Sequence, residues 1–204
     1  MSRARFALGV PLALAADMVL FSMLRRARPR PVGLTGAPVR PAMLGVGSES
    51  EGRGFTSIVL CYGRPLAVAG PFTEVQTCFS ERDCHLSPLE ETITRAKLRD
   101  DAWARQDWER EPGVFGPATG AEAPAEGLEY HERAVAVAGQ ERRLPVVSHD
   151  GYEALRFVHH SMVVTAVARG GLPERPAFDV VEDLEPYLAE HRRFILSWLR
   201  FWEE

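Results

Sequence analysis

Between Tyr130 and Arg169 apolar and polar residues alternate, the period-two pattern of strands with one buried face. Asp150-Gly151 interrupts the alternation and is the strongest short hairpin signal in the chain. With those two residues as the loop, His149 faces Tyr152. Counting outward then pairs Ser148 with Glu153, Val146 with Leu155 and Leu144 with Phe157. Upstream, Gly139-Gln140 fits a type II′ turn with glycine first. That turn pairs Val137 with Arg142, Val135 with Leu144 and Arg133 with Val146. Both counts place Val135, Val137, Leu144, Val146, Leu155 and Phe157 on one face. A slip of one residue would scatter this set over two faces, so the agreement tests the register. Downstream, "MVVTAVARG" supplies a fourth strand; with His160-Ser161 as its turn, Val164 and Ala166 join the same face.

The pattern elsewhere is shorter. "FTSIVLCY" and "PLAVAGPF", separated by Gly63-Arg64, read as a first hairpin. "SPLEETITRAKLRDDAWARQDWERE" reads as a charged helix with Ser87 as N-cap, Pro88 in first position and Glu90 completing a capping box. Its apolar stripe is Leu89, Ile93, Ala96 and Trp103. Residues 111–127 break all periodicity and read as a loop. From Asp183 to Trp202, Leu184, Tyr187, Leu188, Ile195, Trp198 and Trp202 recur at helical spacing, with His191 filling a gap. The expected order is β-β-α-β-β-β-β-α. The expected fold is α+β: a two-strand hairpin plus a four-strand antiparallel meander, packed by the amphipathic C-terminal helix and the charged middle helix.

The N-terminus has another character. Phe6 to Leu24 is long enough to cross a bilayer, and arginines at 25, 26, 28 and 30 follow it. That flank argues against a cleaved signal peptide and would place the body in the cytoplasm. Asp17 would cost about 2.5–3.5 kcal/mol in the membrane. Three readings stay open: a membrane anchor, a buried or partner-bound helix, and a mis-assigned start with the true one at Met43. Pro29 to Gly54 is rich in Pro, Gly and Ser and reads as a linker, so residues 1–54 form a tail and 55–204 one domain.

Composition narrows the function classes. The chain has 204 residues and a net charge of −4, with no clustered basic footprint for nucleic acid. Lys97 is the one lysine and asparagine is absent, the codon bias of a bacterial genome of high G+C content. Three cysteines, Cys61, Cys78 and Cys84, are an odd number, which excludes a disulfide framework and reads as reduced thiols in a cytoplasmic protein.

Candidate chemistry falls in four places. "CFSERDCH" offers Cys78, Cys84 and His85 as metal ligands or a redox pair, but its spacing departs from zinc knuckles and a fourth ligand is missing. His131, Ser148 and Glu153 fall side by side on the helix-facing side, each about 4.8 Å from the next. Those are the residue types of a hydrolytic triad, but the serine, not the base, lies in the middle. On the opposite face Tyr130, His149, Tyr152 and Arg169 share a row, with Arg156 and Thr165 nearby, an aromatic and basic recognition surface. His159 and His160 are adjacent; in a strand they would point to opposite faces and could not readily chelate one metal, so a turn position is the better account. No phosphate loop, dinucleotide fingerprint, HExxH or GxSxG motif is present. The reading is a non-enzymatic protein-interaction or regulatory module without a cofactor, binding a protein partner through that face or through the Trp198, Phe201 and Trp202 end. The alternatives are a small-molecule binder or enzyme using His149 or His131, and a membrane-tethered cytoplasmic domain.

Overall fold

The computed structural model describes residues 19, 21–24, 26, 27, 29–36, 40–48, 55–63, 70–79, 86–105 and 126–201. In chain order the elements are β1 (Val32–Thr35), β2 (Pro41–Ser48), β3 (Phe55–Gly63), β4 (Phe72–Cys78), α1 (Leu89–Arg105), β5 (Glu129–Val137), β6 (Gln140–His149), β7 (Tyr152–His159), β8 (Met162–Arg169), β9 (Ala177–Val180) and α2 (Glu185–Phe201). The fold is α+β. Nine strands form one sheet in the order β1-β9-β5-β6-β7-β8-β4-β3-β2. Neighbours are antiparallel except β5 and β9, which run parallel.

The β6–β7 turn has Asp150 at φ 51° and Gly151 at φ 81°, and it sets His149 opposite Tyr152, Ser148 opposite Glu153 and Val146 opposite Leu155. The expected Leu144–Phe157 pair is absent, because the ladder ends at Val146. The next residue, Pro145, has no N–H to donate. The β5–β6 turn falls at Ala138 (φ 49°) and Gly139 (φ 74°), so Val137 faces Gln140 and Val135 faces Arg142. Its register is two residues from expectation. A shift of two preserves faces, and Val135, Val137, Val146, Leu155, Phe157, Val164 and Ala166 do share one cluster.

Other expectations need correction. The partner of β3 is Phe72–Cys78 and not "PLAVAGPF". Every residue of β4 is buried, so it lacks the alternation that marks a half-exposed strand. The segment read as linker carries the whole of β1 and β2. Phe21, Leu24, Val32 and Leu34 are all buried in the main cluster, so the packed fold draws on residues well ahead of 55 and of Met43. Most of Phe6–Leu24, the end of the expected charged helix from 106 and residues 111–125 of the loop lie outside the described residues. Among the described residues no helix is long and apolar enough to cross a membrane.

The sheet curls. β6 and β7 pair only over Val146–His149 and Tyr152–Leu155, whereas each follows its other neighbour for nearly its full length. Past Pro145 the two halves diverge, and β1 comes to lie over β4 and β3. The edge of β1 that β9 leaves open is satisfied by side chains. Val32 N donates to Thr77 Oγ1 at 2.9 Å, and Thr77 Oγ1 donates back to Val32 O at 3.1 Å. Leu34 N donates to the Tyr62 hydroxyl at 2.7 Å. Gly33 is required here, since a Cβ would collide with the Tyr62 hydroxyl and the Val181 side chain. The concave side holds the main apolar cluster, which Leu184, Tyr187 and Leu188 join at the start of α2. α1 covers part of the convex side, where Ile93 and Ala96 pack on Val147, Tyr152, Ala154 and Val167.

The capping box does not form. Ser87 Oγ has no hydrogen-bond partner, and Glu90 accepts from the Tyr130 hydroxyl at 2.9 Å instead.

Candidate functional site

The convex face under α1 is where the chain concentrates its buried charge. β4 supplies Glu74, β7 Tyr152, β8 Arg169 and α1 the pair Arg99-Asp100. Arg99 is 3% exposed. Its Nε and Nη2 donate to Asp100 Oδ1 at 3.0 and 2.7 Å, and its Nη1 donates to Glu74. Asp100 Oδ2 accepts from the Tyr152 hydroxyl and from Arg169 Nη1, both at 2.9 Å. The Phe72 ring lies against both guanidinium groups, 5.2 Å from Arg99 and 5.8 Å from Arg169. Among the described residues two cations here meet two carboxylates. Burial alone would lower the Arg99 pKa; Glu74 and Asp100 reverse that and hold it above its ordinary value. Burial, then Asp100, pushes the Tyr152 phenol up. Burial, then Glu74, pushes the Cys61 thiol well up, so it is a poor source of thiolate. The arrangement clamps helix to sheet and presents no acid or base poised for transfer.

This changes the recognition surface expected from sequence. His149, Tyr152 and Arg169 do share a row, but the shifted β5–β6 register sets Tyr130 opposite Val147 and out of it. Tyr152 is 8% exposed and committed to Asp100. Arg156 is half-buried, with Nε on Thr165 Oγ1 at 2.9 Å and Nη2 on Ser87 O at 2.6 Å, and burial lowers its pKa. His149 Nδ1 lies 3.1 Å from Gly127 O. Of the five residues, Tyr130 alone is open, at 65% exposure. Beside it, on the same face of the β5–β6 hairpin, Glu132, Ala134, Arg143 and Pro145 are exposed too. Glu132 stands opposite Pro145 and Ala134 opposite Arg143.

The triad residues do not assemble. His131 faces Val146, while Ser148 faces Glu129 and Glu153. Glu153 is held by Arg133 through two bonds of 2.7 and 3.2 Å and accepts from Leu172 N at 2.7 Å. His131 Nε2 is 4.0 Å from Glu153, and no hydrogen bond joins it to Ser148 among the described residues.

The two histidines lie where the turn reading places them, His159 at the end of β7 and His160 in the turn. Their ring centroids are 4.3 Å apart, because His160 sits in the turn at φ 54° and does not continue the strand. Burial, then His160 and Arg142, lowers the His159 pKa, and Asp179 opposes them. Cys78 is disulfide-bonded and Cys61 is free, so the cysteines are not all thiols as expected. An odd count excludes a complete framework but leaves room for one bond. Cys84 and His85 lie outside the described residues. Among the described residues no group of three or more His, Cys, Asp or Glu could hold a metal ion.

Sequence reasoning missed Glu74, Arg99 and Asp100. One signal was present: the stripe Leu89, Ile93, Ala96, Trp103 has a gap at position 100, which Asp100 occupies. No family model matches this chain, and neither a curated protein nor a solved structure matches it.

Proposed function

We propose that the chain is a non-enzymatic interaction module that binds a protein partner through the outer face of the β5–β6 hairpin, centred on Tyr130. One observation carries this reading: a large aromatic side chain stands 65% exposed on a strand pair whose other face sends Val135, Val137 and Val146 into the core. Exposed aromatic and arginine side chains are enriched at partner interfaces. Pro145 and Ala134 give that face an apolar floor, and Arg143 and Glu132 give it a polar rim. Against an enzymatic role, the buried acids Glu74 and Asp100 and the half-buried Glu153 are each held by arginine.

The test places a photo-reactive amino acid at position 132 and, as a control, at exposed position 174. A discrete cross-linked species from position 132 is expected, lost when Tyr130→Ala is added, with none from position 174. Equal patterns at the two positions would sink the reading.

A further inference from the structure

A cavity of about 290 Å³ opens at the mouth of the curled sheet, on the far side of the fold from the β5–β6 outer face. Leu34, Pro71 and Leu172 give it apolar walls. Its polar side chains, Arg40, Thr73 and Tyr62, can each donate a hydrogen bond. Arg40 is exposed and has no ion pair or side-chain hydrogen bond. Thr73 is 6% exposed, faces the concave side, and its hydroxyl has no partner. Tyr62 lines the cavity as well, with its hydroxyl 3.1 Å from that of Tyr187. Those two hydroxyls carry two protons and share one bond, while Leu34 N–H occupies an acceptor site on Tyr62. One phenolic proton is therefore left over.

Among the described residues no acidic side chain lines the cavity. The nearest carboxylate behind its wall, Glu153, is held by Arg133 and Leu172 N. Three side chains able to donate, one unpaired cation, no lining carboxylate among the described residues and apolar walls are complementary to a ligand with an anionic head and a compact apolar body. We infer that the mouth cavity binds a small monocarboxylate, with Arg40 and Thr73 on the carboxylate and the body against Leu34 and Leu172. Its volume lies at the bottom of the usual range for ligand pockets, about 300–1,000 Å³, which restricts the ligand to one ring or a short branched chain. The inference is independent of the partner face.

The experiment titrates the full chain with phenylacetate and with its neutral isostere phenylacetamide, followed by calorimetry. Saturable binding of phenylacetate is expected, about tenfold or more tighter than phenylacetamide, because the bond to arginine is charge-assisted. Arg40→Gln should bring the two affinities together. Thr73→Val, checked for fold by circular dichroism, should weaken phenylacetate several-fold. Absence of saturable binding, equal affinity for the two probes, or full phenylacetate affinity in Arg40→Gln would each overturn the inference.

Discussion

The two sides of the sheet are held by different means. On the concave side apolar residues from eight strands and the start of α2 pack together, hydroxyls close the sheet onto β1, and charge enters as the half-buried Arg133–Glu153 pair toward one end of the face. On the convex side α1 adds a small apolar contact and then a cluster of four charges. The concave side follows from burying area, which is tolerant of exchange among apolar side chains. The convex side depends on each charge meeting its partner, since one buried charge left alone costs more than the pair contributes. A protein can thus be permissive on one face of a sheet and exacting on the other.

The sharpest way to break the contrast is Asp100→Ala. It strips Arg99, Arg169 and Tyr152 of their shared acceptor and should cost about 3–5 kcal/mol, read as a lower urea midpoint at unchanged m-value. Adding Arg169→Met should restore part of the loss, because the second substitution removes a stranded cation. Additive costs would mean that Asp100 acts through packing alone.

Thr77→Val probes the concave side with a nearly isosteric side chain. It strands the Val32 N–H and carbonyl and should cost about 1–3 kcal/mol in the same assay. A loss as large as that of Asp100→Ala would erase the distinction between the faces.

The smallest effect concerns pH. The folded pKa of His159 lies below its ordinary value, so the unfolded chain takes up a proton first as pH falls. Its contribution to stability is complete above the unfolded pKa of about 6.5 and is lost as pH drops toward the folded value. The groups that act on it are His160, Arg142 and Asp179. His159→Gln should flatten the urea midpoint between pH 7.5 and 5 relative to the parent chain. An identical slope in both would remove His159 as the cause.

Legibility in the sequence followed the same divide. The β6–β7 register was readable because Asp150-Gly151 names its turn. The β5–β6 register was missed by two, because Ala138, an unusual residue at positive φ, takes the first turn position. The concave face emerged from alternation, and alternation survives a shift of two. β4 was hidden because Glu74 and Gln76 look solvated until the helix that covers them is in place. Partnered charge carries no local signature, so Arg99, Asp100 and Arg169 read as surface. β1 and β9 are four residues each, too short to show a period.

The seam between β1 and the strands β3 and β4 has a dynamic consequence. A backbone ladder opens only when several consecutive bonds break together, but this seam is fastened by Thr77 and Tyr62, each on its own rotor. The curled sheet can therefore part there one fastening at a time, while β1 stays paired with β9. The amides of Val32 and Leu34 should exchange with solvent deuterium faster than those of Gly33 and Thr35, four neighbours in one strand divided by which way they point.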